Sequence, residues 1–65
     1  MKIILNGEER EIQNQSLTNL LQELNLDPKK IVAELNADIV PRDKYDQTFL
    51  KENDRLELVQ FVGGG

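Results

Sequence analysis

Residues 53–65 read NDRLELVQFVGGG, and the reading of this stretch decides the fold. Asn53-Asp54 is turn chemistry, because both side chains hydrogen-bond nearby backbone and both tolerate a left-handed conformation. From Arg55 onward the polarity alternates. Leu56 and Leu58 fall on one side, with Arg55, Glu57, Val59 and Phe61 on the other, which is the period of a strand with one buried face. Residues 55–62 are therefore expected to form a strand. Gly63, Gly64 and Gly65 cannot extend a core because none has a Cβ. A final strand with an inward leucine pair needs a second strand of the same kind beside it. Residues 1–5, MKIIL, supply one, with Met1, Ile3 and Leu5 on one face and Lys2 and Ile4 on the other. Pairing the two in parallel at the sheet centre buries both inward sets best.

Working outward, the first strand runs into Asn6-Gly7, the strongest short-range hairpin signal. A second strand is expected over residues 9–13, with Ile12 its clear inward residue and its charges marking a sheet edge. Ser16 is a good N-cap, and Leu17, Leu20, Leu21 and Leu24 then fall at the spacing of one helix face. The helix should stop near Asn25, ahead of Asp27-Pro28. Residues 31–35 alternate as a strand, Asn36-Ala37-Asp38 turns the chain, and Ile39-Val40 forms a short arm that ends at Pro41. Residues 42–51 read as an irregular connection, pinned over the open end of the core by Tyr45, Phe49 and Leu50. The element order is ββαβββ. It defines an α+β domain over residues 1–62, a mixed sheet of four to five strands packed on one main helix, followed by a flexible glycine tail over residues 63–65.

Composition narrows the function. Sixty-five residues make one small domain, and the absence of cysteine and histidine removes disulfides, thiolate nucleophiles, the usual zinc ligands and the commonest general base. Catalysis by this chain alone is not expected. Eight basic and 12 acidic residues give a net charge of -4, the wrong sign for a chain that must neutralise phosphates, so no nucleic-acid partner is expected. No apolar run approaches the roughly 18 residues of a membrane span, and no signal peptide is evident, so the expected setting is cytoplasmic without membrane attachment. The carboxylates Glu8, Glu9 and Glu11, and Asp43 with Asp46, read as solvated surface, and no metal site is expected. Phe61, beside Val59 and near Ile4 of the neighbouring strand, forms a candidate docking patch next to the tail.

The tail has a chemistry of its own. Glycines are thin enough to thread a channel that excludes alanine, and four extended residues reach roughly 13 to 14 Å. What they deliver is the α-carboxylate of Gly65. A free carboxylate is a poor acyl electrophile, so any acyl transfer from it requires an activating partner, and the chain lacks a phosphate loop with which to hold a nucleotide itself. It reads as a protein substrate rather than an enzyme.

The hairpin MKIILNGE, the leucine helix, the segment VAELNADIVPRD and the ending NDRLELVQFVGGG together resemble the ThiS family of thiamine-biosynthesis sulfur carriers, within the β-grasp ubiquitin-like superfamily. The resemblance covers essentially the whole chain. It implies that an E1-like adenylating enzyme, holding ATP and magnesium, activates the Gly65 carboxylate. A sulfur donor system then converts it to a thiocarboxylate, and thiazole synthase takes the sulfur. No cofactor is expected on this chain itself. Carried onto this sequence, Gly65 is the sulfur attachment point, Gly63 and Gly64 enter the partner's active site, and Phe61 and Val62 make partner contacts; strand alternation adds Val59 and Ile4 to that expected docking patch. The free protein is expected to be a monomer. Three alternatives stay open at this point: the small subunit of molybdopterin synthase, a ubiquitin-related modifier conjugated to lysines, and an interaction module with an unreactive tail.

Overall fold

Asn6 and Gly7 both take positive φ, 50° and 83°, so the first turn is a two-residue loop of the kind that matches strand twist. The tight loop brings Leu5 opposite Glu8 and fixes β1 (Lys2–Leu5) antiparallel to β2 (Glu8–Glu11). The second strand thus begins directly after the turn and ends earlier than the expected residues 9–13. Ile12 lies just beyond it, buried, and donates its N–H to the Met1 carbonyl at 2.8 Å. The computed structural model describes residues 1–61.

The helix α1 (Leu17–Glu23) starts where Ser16 caps it, the Ser16 hydroxyl accepting the N–H of Asn19 at 3.1 Å. It ends at Asn25, whose N–H reaches the Gln22 carbonyl and whose φ of 59° turns the chain so that the Leu26 N–H reaches that of Leu21. That paired closure satisfies two terminal carbonyls before Pro28 is reached. Leu17, Leu20 and Leu21 are fully buried and Leu24 packs at their margin, so the leucine stripe is the centre of the core. Its partners come from the sheet: Ile3 of β1, Ile31 and Ala33 of β3 (Ile31–Leu35), and Leu56 of β5 (Arg55–Gln60).

The five strands lie in the order β2-β1-β5-β3-β4, with β4 (Asp38–Ile39) a two-residue edge. β1 and β5 are parallel neighbours, Ile4 beside Arg55 and Leu5 beside Leu56. The expected central pairing of the N- and C-terminal strands is therefore present, with β2 outside it.

Residues 42–51 differ from the expectation of an irregular connection. Pro41, at φ -59°, leads into a 3-10 helix over Arg42–Gln47, with the Lys44 N–H returned to the Pro41 carbonyl at 2.9 Å. Tyr45 is buried and its hydroxyl donates to the Ile31 carbonyl at 3.0 Å, tying this segment to β3. Leu50 is buried as expected, but Phe49 is 57% exposed. The reason is a single β-bridge between Ser16 and Phe49, which puts Phe49 and Leu50 in locally extended backbone. Adjacent residues there face opposite ways, so only one of the two can enter the core.

Candidate functional site

β5 carries the chain to its glycines, and its first half is clamped on both sides. Toward β1, the Ile4 N–H donates to the Asp54 carbonyl at 2.8 Å and the Asn6 N–H to that of Leu56 at 2.9 Å. Toward β3, the Asn36 N–H donates to the Arg55 carbonyl at 2.7 Å, and the Asn36 side-chain oxygen accepts the Arg55 N–H at 2.9 Å. The Asn36 amide also donates to Asp54 Oδ1 at 3.0 Å, while Asp54 Oδ2 accepts the Lys51 N–H at 2.8 Å. Asn53, at φ 70°, makes the turn that feeds this clamp. Turn residues 36 and 53–54 thus fix where the last strand starts.

The second half is held differently. β5 stays paired with β3 to Gln60, and the Phe61 N–H extends the ladder to the Lys30 carbonyl at 3.1 Å. β1, however, turns away at Asn6-Gly7, and the Asn6 side-chain oxygen takes the Leu58 N–H at 2.8 Å in place of a strand carbonyl. Past that point β5 has a neighbour on one side only among the described residues.

The sheet face away from the helix exposes two of the three side chains expected to form a patch, Val59 and Phe61. Val59 is 57% exposed and Phe61 is 42% exposed, next to each other on that face of the last strand. Ile4 shares the face but not the place. The register sets it beside Arg55, and at 3.3 Å per residue Val59 lies about 13 Å and Phe61 about 20 Å further along. Ile4 therefore does not join Phe61. The residue that does is Val32, directly opposite Val59 on β3, and Ile39 of the edge strand, 66% exposed, adds a further apolar side chain one row away. Alternation along residues 31–35 puts Val32 on the face opposite Ile31 and Ala33, but its neighbour across the sheet depends on a pairing with residues far away in sequence. Val62, Gly63, Gly64 and Gly65, and with them the expected end of the domain at residue 62, lie outside the described residues.

The acidic side chains do not converge. Glu9 pairs with Lys2 at 3.6 Å and Glu11 with the Met1 amino group at 3.0 Å, both at the surface, while Asp46 accepts from the Thr18 hydroxyl. Among the described residues no group of three or more possible metal-ligating side chains is found, and no helix is long and apolar enough to cross a membrane.

A five-stranded mixed sheet with parallel neighbouring terminal strands, one helix across one face and a central last strand that precedes the glycines in sequence is a β-grasp, ubiquitin-like domain. The ThiS family model matches residues 3–65, and the chain belongs to that family. It is 34% identical over 50 residues to the sulfur carrier protein ThiS of Bacillus subtilis, covering 77% of this chain and 76% of that protein. It is also 42% identical over 66 residues to a thiazole synthase of Paramagnetospirillum magneticum, covering 100% of this chain but only 20% of that protein. The chain thus spans about a fifth of the length of that relative. The crystal structure of the thiamine biosynthesis protein ThiS from Geobacter metallireducens matches with a TM-score of 0.85 at 29% identity, over 100% of both chains.

Proposed function

We propose that this protein carries sulfur for thiazole formation in thiamine biosynthesis, as a thiocarboxylate on Gly65. The observation that carries the reading is that the family match runs through the three glycines to residue 65, directly after a strand whose last part exposes the apolar side chains Val59 and Phe61. The likeness to the Bacillus sulfur carrier supports the sulfur chemistry, and the likeness of the whole chain to part of thiazole synthases supports the pathway over molybdopterin synthesis and over conjugation to lysines.

In the proposed cycle the Gly65 carboxylate attacks the α-phosphorus of ATP on an E1-like enzyme, and pyrophosphate leaves. Sulfide-level sulfur from the donor system then attacks the acyl carbon, and AMP departs with the carboxyl oxygen it had taken, leaving the thiocarboxylate. ATP and magnesium are held by that enzyme. This chain contributes reach and fit: Gly63 and Gly64 pass where side chains would not, and Phe61, Val62 and Val59, with Val32 in the place first given to Ile4, rest on the partner. On thiazole synthase the sulfur passes to a carbonyl-bearing small substrate, and an oxygen from that carbonyl or from water replaces it on the acyl carbon, so Gly65 returns to a carboxylate.

The test is pyrophosphate exchange by a ThiS-activating enzyme given this protein. ATP-dependent exchange that requires Gly65 supports the reading, and no exchange above the enzyme alone refutes it.

A further inference from the structure

The sheet has three open edges among the described residues, and two are protected. The outer edge of β2 is Glu8-Glu9-Arg10-Glu11, a charged strand that resists pairing with another chain. The outer edge of β4 is two residues long, too short to template a partner strand. The third is the part of β5 that outruns β1. At the two ends of the β3 pairing Arg55 is bonded to Asn36 and Phe61 to Lys30, so by the register the odd-numbered residues of β5 turn their backbone groups to β3 and the even-numbered ones turn theirs to β1. Asp54 and Leu56 are met there by Ile4 and Asn6, and the Leu58 N–H by the Asn6 side chain. The Leu58 carbonyl and the N–H and carbonyl of Gln60 come next on that edge, past the end of the β1 pairing, and none of them makes a backbone hydrogen bond to β1 among the described residues. This edge is short, uncharged and placed at the root of the glycine tail.

We propose that this overhang is a strand-pairing site, and that an extended segment of thiazole synthase adds to the sheet there through the backbone of Leu58 and Gln60. The inference rests on the function proposed above. If Gly65 must reach a reaction centre, four residues past Phe61 allow at most about 14 Å, so the partner that receives it must cover this end of β5. A strand docked on the open edge forms main-chain hydrogen bonds whatever its side chains, and it holds the tail's origin rigidly over the partner's site. Thiazole synthase is the occupant favoured here because relatives of that name contain a segment similar to this entire chain.

The Gln60 N–H is the atom to test. Proline is tolerated on a strand where the missing N–H faced outward, so Gln60→Pro removes the proposed donor without touching the β3 ladder. Gln60→Ala removes only the side chain. In calorimetric titration of thiazole synthase, Gln60→Ala should bind like wild type and Gln60→Pro about tenfold more weakly or worse. Amide exchange on unaltered protein gives an independent reading: the Gln60 N–H should exchange fast and that of Val59 slowly in the free protein, and Gln60 should become protected in the saturated complex. A saturated complex in which Gln60 still exchanges fast, or in which only the adenylating enzyme protects it, overturns the proposal while leaving the sulfur-carrier reading intact. No binding of wild type to thiazole synthase would overturn both.

Discussion

The side-chain oxygen of Asn6 accepts the backbone N–H of Leu58 at 2.8 Å across 52 residues of sequence, and the pairing of β1 with β5 ends at that contact. One residue therefore does two things: at φ 50° it opens the first hairpin, and it closes off the last strand. Replacing it by alanine removes the acceptor and leaves a side chain with no local compensation in a left-handed conformation. Asn6→Ala should lower stability by about 1 to 3 kcal/mol in a denaturant titration, and Asn6→Asp, which keeps the acceptor, should lose clearly less.

Leu21 is fully buried at the centre of the leucine stripe, whereas Phe61 is 42% exposed on the opposite side of the sheet. Leu21→Ala should cost about 2 to 5 kcal/mol, enough to unfold much of so small a domain. Phe61→Ala should leave the unfolding midpoint near that of wild type and weaken binding to the activating enzyme. Equal losses of stability in the two variants would remove the distinction between core and docking surface.

Glu34 and Glu57 stand directly opposite each other on the exposed face, and like charges in that position repel. Glu57→Lys converts the repulsion to an attraction and should raise stability by about 0.2 to 1 kcal/mol, an increment that shrinks in high salt. Thermal unfolding at two ionic strengths measures it, and a lower stability than wild type at low salt would count against the register.

Most of the fold was legible because its signals are local. Asn6-Gly7 needs only its own backbone preferences, Ser16 only the helix it starts, and the leucine stripe only a period. The parallel pairing of β1 and β5 was legible too, since both strands carry inward apolar sets that a sheet centre must bury. What escaped depends on contacts between distant residues. Phe49 is apolar yet points outward because its bridge to Ser16 allows only Leu50 to face in. Ile4 has the face expected of it, but register alone places it beside Arg55 rather than Phe61. The Asn36–Asp54 clamp reads in sequence as two separate turns, and nothing local says that one side chain will satisfy the other.

Gly64→Val and deletion of Gly65 should leave the fold unchanged and stop adenylation. The first puts a branched side chain beside the reacting carboxyl group, and the second withdraws that group by about 3.5 Å, far outside the tolerance of a near-attack geometry. Pyrophosphate exchange should fall to background for both while their denaturation curves overlay that of wild type. Normal exchange by either would mean that the enzyme does not read the tail.

The most direct measurement of the sulfur-carrier reading is the intact mass of this protein isolated from a host that is making thiamine. A fraction heavier by one sulfur-for-oxygen exchange is expected, localised to Gly65 by fragmentation and absent when the activating enzyme is removed. That fraction should revert to carboxylate when thiazole synthase and its small substrates are supplied. Protein recovered with Gly65 joined only to lysines, or thiazole formed unchanged in a host lacking this chain, would contradict it.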